Sequence, residues 1–228
     1  MLIYAHRGAS ADFLEGSKAA YIGALAQGAD GFECDVRLTK DKQIICYHDS
    51  DTKRLSNIDL KISKSSYKEL KQKVDPYLLD ELLDLSISNK KDLVIESKHP
   101  VSTGALIEKL VHKLLLNRKA DIKNSGIKIS LISFSYFATL RNLKSGYQTG
   151  YLVKNLNLIK INPAPVIGLN INILRQKPGI VADQHKKGKT VFVWTVNEAS
   201  DLHLCAKEGV DAVITDKPAQ ARKLLGYS

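Results

Sequence analysis

Leu2-Ile3-Tyr4-Ala5-His6-Arg7-Gly8 is a short apolar run that closes on a histidine, an arginine and a glycine. Gly31-Phe32-Glu33-Cys34-Asp35-Val36 carries a pair of acids along a second run. Asp92-Leu93-Val94-Ile95-Glu96-Ser97-Lys98 ends a third on an acid and a lysine, and a run at 43–47 leads into His48-Asp49. Further strand-like segments lie at 127–133, 149–153, 166–170, 190–195 and 212–215. Amphipathic helical stretches at 17–27, 77–88, 102–117, 136–143, 178–187, 199–207 and 217–225 separate most of them. Such alternation means parallel strands joined by crossover helices. In an open α/β sheet or an α/β barrel, the polar groups at the strand ends then face the active-site edge.

One connection breaks the pattern. Nine candidate strands exceed the eight of a closed (β/α)8 barrel, and Thr39-Lys40-Asp41-Lys42 is too short for a crossover helix. Either 43–47 pairs antiparallel with its predecessor or the barrel is irregular there. Residues 49–75 are polar and lysine-rich, and read as a loop or small insertion beside the site. Length and the lack of linkers or repeats point to one domain spanning 1–228.

Composition narrows the class. No segment reaches the roughly 18–20 uninterrupted apolar residues of a membrane span. The start of the chain shows no basic region followed by a long apolar core, so a cytoplasmic location is expected. Cys34, Cys46 and Cys205 lack metal-type spacing and read as reduced thiols. The net charge of +10 suits anionic partners. Its lysines are scattered without interleaved aromatics, which argues against a nucleic-acid face and for a solvated exterior.

Glu33 and Asp35 sit two apart on a strand and share a face, with Cys34 on the other. Two acids turned into a barrel need a partner, because buried unpaired carboxylates are strongly destabilising. A divalent cation is the simplest one, and hard oxygen ligands favour Mg2+ or Ca2+. Glu96 is either a third ligand or the ion-pair partner of Lys98, and the neighbouring acid pair favours ligation. His6 and His48 are candidate proton-transfer groups, since histidine serves as acid or base near neutral pH. His99, His112, His185 and His203 read as structural. Arg7 and Lys98 are candidate phosphate-binding cations. Trp194 shares a face with Phe192 and is either core or an apolar wall for the substrate's alcohol portion.

Together these segments resemble the glycerophosphodiester phosphodiesterase family. The likeness rests on His6-Arg7-Gly8, on residues 28–36, on Thr39-Lys40-Asp41 with His48-Asp49, and on Ile95-Glu96-Ser97-Lys98. It continues through Ser133-Phe134-Ser135, Val193-Trp194-Thr195-Val196-Asn197 and residues 209–216. The resemblance implies a TIM barrel, irregular around its second and third strands, that hydrolyses glycerophosphodiesters such as deacylated phospholipids to glycerol 3-phosphate and an alcohol. It implies His6 and His48 as the acid/base pair, and Glu33, Asp35 and Glu96 as ligands of Mg2+ or Ca2+, with Mn2+ a further candidate. It implies Arg7 and Lys98 as phosphate-binding groups. The family's usual route lets the glycerol 2-hydroxyl attack phosphorus, with water then opening a cyclic phosphate; these residues also allow direct attack by water. The chain departs from the family's Pro-Glu-Asn-Thr with Leu14-Glu15-Gly16-Ser17, and retains only Arg54-Leu55-Ser56 of an Arg-Thr-Thr-rich loop. Two alternatives remain: a lysophospholipase D or sphingomyelinase-D-like enzyme, which needs an apolar rim, and a non-catalytic phosphate-binding barrel.

Overall fold

The computed structural model describes residues 1–227. Nine strands run through them: β1 (Leu2–His6), β2 (Gly31–Leu38), β3 (Ile44–Cys46), β4 (Asp92–Ser97), β5 (Ile129–Ser133), β6 (Gln148–Val153), β7 (Val166–Asn170), β8 (Thr190–Trp194) and β9 (Ala212–Thr215). All but β3 pair in parallel, in that order around a ring that β9 closes onto β1. The result is an eight-stranded parallel barrel inside a layer of helices. β3 lies outside the ring, antiparallel to the end of β2, with Val36 opposite Cys46 and Leu38 opposite Ile44.

The short link at 39–42 closes this hairpin and resolves the ninth strand. The Thr39 amide donates to the Gln43 carbonyl at 3.0 Å, and the Thr39 hydroxyl donates to Asp41 at 2.6 Å. After it, residues 49–75 form a small insertion with helices Lys53–Ser56 and Tyr67–Lys73. Its own core of Ile45, Tyr47, Ile62 and Leu70 holds it against β3. Helices Lys119–Ser125 and Ile171–Gln176 were not legible as separate elements, being short stretches next to longer signals.

Strand alternation sorts the side chains into layers. Ile3 and Ala5 of β1, Phe32, Cys34 and Val36 of β2, Leu93 and Ile95 of β4, and Val191 and Val193 of β8 pack outward under the helices. Tyr4, Val94, Ile132, Leu152, Val166, Phe192 and Ile214 fill the barrel interior. Each buried aliphatic or aromatic side chain contributes about 1.5–3 kcal/mol relative to exposure. Continuing the same alternation toward the C-terminal ends puts His6, Glu33, Asp35, Glu96 and Trp194 on the inner face. The packing that holds the barrel together therefore also aims the site. Among the described residues no helix is long and apolar enough to cross a membrane.

Candidate active site

His6-Arg7-Gly8 leaves β1 through a tight bend. Arg7 and Gly8 both have left-handed backbones, with φ of 56° and 85°. The Arg7 amide donates to the Glu33 carbonyl at 3.0 Å and to Glu33 Oε2 at 3.1 Å. Gly8 lies so close to the following helix that a Cβ there would come within 2.5 Å of the Ala20 carbonyl carbon. A glycine is needed at this point for both reasons. The bend turns the Arg7 side chain back over the barrel mouth.

Register brings the acids together. His6 is opposite Glu33 across β1 and β2, and Asp35 is opposite Glu96 across β2 and β4. Ligand oxygens of Glu33, Asp35 and Glu96 all lie within 4.8 Å of one another, and all three residues are buried. Lys98 Nζ sits 3.0 Å from Asp35 and 2.8 Å from Glu96, and Arg7 Nε sits 2.7 Å from Asp35 Oδ2. The last contact is an ion pair whose N–H is not aimed at the oxygen.

Three buried carboxylates thus face two cations, and Arg7 is shared again with Glu15. Burial tends to raise the Asp35 carboxyl, but Lys98 and Arg7 outweigh it and hold the group at about 2. Burial and the Asp35 charge push Glu96 up to about 7. Burial, with Asp35 and then Glu96, drives Glu33 well above the ordinary carboxylate range. The cluster is short of positive charge, and its all-oxygen donor set fits a hard divalent cation. Glu96 turns out to pair with Lys98 and to belong to the cluster at once.

The two histidines are held alike. His6 Nδ1 lies 2.7 Å from Asp216 and His48 Nδ1 lies 2.7 Å from Asp49. A carboxylate only accepts, so each ring carries its proton on Nδ1 and leaves Nε2 free. The carboxylate partners differ in their other contacts. Asp216 also accepts from Ser10 at 2.8 Å and Asn197 at 2.5 Å, both neutral. Burial opposes its ionisation, yet the bond from His6 and the charge of that ring, followed by the Asn197 and Ser10 bonds, hold it at about 2. Asp49 instead shares its charge with Arg54, whose Nε is 2.5 Å away. Burial lowers His48 below the ordinary histidine value, as do Lys98 and Arg7, despite the opposing Asp35 and Asp49 charges.

Arg54, which the sequence showed only as the remnant of a loop, links two halves of the site. Its Nη atoms reach Glu15 at 2.7 and 2.9 Å, and Glu15 accepts Arg7 Nη1 at 2.8 Å. Arg7, Glu15, Arg54, Asp49 and His48 therefore form one chain of contacts. Gly16 fits this arrangement with φ of 70°, its amide donating to the Arg7 carbonyl at 2.8 Å. The side chain of Arg54 is 48% exposed, so its removal disturbs position more than folding. Arg54→Ala is expected to lower kcat/KM by about tenfold, up to ~100-fold, through misplacement of Arg7 and His48. Its melting temperature should stay close to that of the parent, checked by calorimetry beside the kinetics.

His6, Arg7, Glu33, His48, Glu96, Lys98 and Trp194 all line one pocket of about 350 Å³ at the C-terminal end of the barrel. Asp35 lies beneath it, between Arg7 and Lys98. Ile132, Phe134, Leu152 and Ile214 supply its apolar lining, with Ile132 beside Glu96 across β4 and β5. Trp194 meets Phe134 edge-on at 5.1 Å and donates from Nε1 to the Gly168 carbonyl at 3.1 Å. It is therefore both interior packing and wall.

Sequence reasoning missed several members. His99 lines the pocket, its Nε2 held by Glu108 at 2.5 Å. Lys154 lines it too. Asp216 closes the last family-like segment, yet its partner lies 210 residues away, so nothing local signalled its role. Apolar side chains are exposed past the strand ends as well: Phe137, 71% exposed, on the segment after β5, and Leu156 after β6.

Known proteins share this arrangement of the chain. A glycerophosphodiester phosphodiesterase of Caldanaerobacter subterraneus is 29% identical over 95% of this chain and 94% of its own. The structure of a Thermotoga maritima glycerophosphodiester phosphodiesterase matches with a TM-score of 0.83 at 27% identity, covering 98% of each chain. An Oleispira antarctica phosphodiesterase solved with the product sn-glycerol-3-phosphate has the same fold, with a TM-score of 0.80 at 22% identity over 99% of this chain and 97% of that one. The family model for glycerophosphoryl diester phosphodiesterases matches residues 6–220. A match over nearly the whole barrel, spanning every element that builds the pocket, means that this chain belongs to the glycerophosphoryl diester phosphodiesterase family.

Proposed function

We propose that residues 1–228 act as one catalytic barrel that hydrolyses glycerophosphodiesters to sn-glycerol 3-phosphate and an alcohol, with a divalent metal and a pair of histidines. The observation that carries this reading is the placement of two carboxylate-backed imidazoles around a pocket that also holds three clustered acids and two cations. Glu33, Asp35 and Glu96 would hold Mg2+ or Ca2+, with Mn2+ a further candidate. Such an ion, when bound, would neutralise charge on the phosphoryl oxygens and orient the diester.

The chain's own groups account for the rest. Arg7 and Lys98 face the pocket as cations and would bind the phosphate oxygens. His48 stays neutral to a lower pH than an ordinary histidine and offers Nε2 as general base, taking the proton from the attacking oxygen. Asp216, bonded otherwise to neutral donors, keeps its full charge beside the His6 ring, an arrangement that suits the proton donor. As the bond from phosphorus to the leaving oxygen breaks, His6, once it carries a second proton on Nε2 beside the one that Nδ1 gives to Asp216, would pass that Nε2 proton to the oxygen and return to the neutral ring. Trp194 and Phe134 supply an apolar wall for the organic portion.

The sign of the pH dependence follows. A base must be deprotonated to act, so kcat/KM rises with pH through the value of His48. Burial has lowered that value, so the acid limb of the profile is expected below 6.5, the ordinary histidine value. A limb above it would contradict the assignment of His48 as base.

Cys34, Cys46 and Cys205 are buried free thiols, which suits a reducing, cytoplasmic setting. The exposed Phe137 and Leu156 favour a second reading, a lysophospholipase D acting on single-chain lipids. Competition between glycerophosphoethanolamine and lysophosphatidylethanolamine, with products resolved by 31P NMR, separates the two. Faster release of glycerol 3-phosphate supports the proposal. Faster release of lysophosphatidic acid supports the second reading, and no turnover by folded protein supports a phosphate-binding barrel.

A further inference from the structure

Lys154 directly follows β6, which lies diametrically opposite β1 in the ring. His6 and Arg7 from β1, the acids of β2 and Lys98 beyond β4 all belong to one side of the pocket. Lys154 therefore reaches the pocket from the far side. Its Nζ lies 4.5 Å from the centroid of the Phe134 ring, and Phe134 in turn packs edge-on against Trp194.

Two features set this lysine apart from Arg7 and Lys98. Those two cations are engaged by Asp35, Glu15 and Glu96, whereas among the described residues no carboxylate pairs with Lys154. The ring face it covers is also the kind of surface that attracts a substrate cation, since aromatic faces bind ammonium groups through their quadrupole. Here the protein's own ammonium occupies that face. A choline or ethanolamine substituent reaching this wall would meet like charge in place of an open ring. A substituent bearing a phosphate or carboxylate would find an uncompensated cation at the end of an apolar wall.

We infer that Lys154 is a specificity-determining residue that selects glycerophosphodiesters whose alcohol portion is anionic over those with a cationic one. This rests on the phosphodiesterase reading above and adds the substrate class. Lys154 lies across the pocket from the acids and histidines, so it acts on the choice among substrates and not on proton transfer.

The test is kcat/KM for three diesters on wild type, Lys154→Gln and Lys154→Glu: glycerophosphoinositol 4-phosphate (anionic), glycerophosphoglycerol (neutral) and glycerophosphocholine (cationic). Wild type should prefer them in that order. Lys154→Gln should shrink the anionic-to-cationic ratio by roughly two- to fivefold, the scale of one exposed charge interaction. Glycerophosphoglycerol should move least, and Lys154→Glu should reverse the order. An unchanged ratio in both variants overturns the inference and leaves the phosphodiesterase reading standing. So does an equal fall for all three substrates, which would place Lys154 on the shared glycerol. Absence of turnover of all three by folded wild type overturns both.

Discussion

Replacing His48 by alanine is expected to lower kcat on a glycerophosphodiester by about 10²- to 10⁴-fold, the usual worth of a positioned acid or base. His6→Ala should do the same. The expectation follows from matching geometry. Each ring is fixed through Nδ1 by a carboxylate 2.7 Å away, which leaves Nε2 toward the pocket. Neither ring is among the groups expected to hold the phosphate or the metal. The affinity for glycerol 3-phosphate, measured by calorimetry on the same variants, should therefore change only a few-fold. The two variants should separate in their leaving-group dependence. Loss of the acid is felt most with poor leaving groups, so His6→Ala should recover rate on a p-nitrophenyl diester while His48→Ala should not. Turnover within tenfold of wild type in either variant would remove that histidine from the mechanism.

Glu33→Gln is expected to abolish metal binding without weakening the empty protein. Glu33 is fully buried among like charges, and burial with Asp35 and Glu96 pushes its carboxyl well upward. Glutamine keeps the shape and can still accept from the Arg7 amide, and it removes the cost of burying an ionisable carboxyl among like charges. The metal-free variant should thus melt at or above the temperature of metal-free wild type. Saturating Mg2+, Ca2+ or Mn2+ at about 100 times its dissociation constant should stabilise wild type by ~2.7 kcal/mol, or about 5–10 °C for a domain of this size. Glu33→Gln should show no such shift. A metal-induced shift of equal size in the variant would exclude Glu33 as a ligand.

Much of this was legible in the sequence, and the reason is strand alternation. Glu33 and Asp35 share a face because of a period of two, and Cys34 packs outward for the same reason. All nine strand segments were visible because each is a compact apolar run. Their pairing was less so: whether 43–47 joined the ring depended on the turn at 39–42, whose Thr39 and Asp41 contacts close a hairpin. The polar partners that tune the site were the least legible. Asp216 and Glu15 reach their partners across 210 and 39 residues, distances over which periodicity carries no information. His99 reads as structural and Lys154 carries no local signal at all, and only closure of the barrel brings the ends of β4 and β6 to one pocket.

The most direct test of the account is glycerol 3-phosphate release by purified protein after exhaustive treatment with EDTA, then after return of Mg2+, Ca2+ or Mn2+. The account predicts no release from the chelated enzyme and recovery with at least one of these ions, at concentrations matching the thermal shift. Full release by chelated protein would contradict metal dependence, and no release under any condition from folded protein would contradict the phosphodiesterase itself.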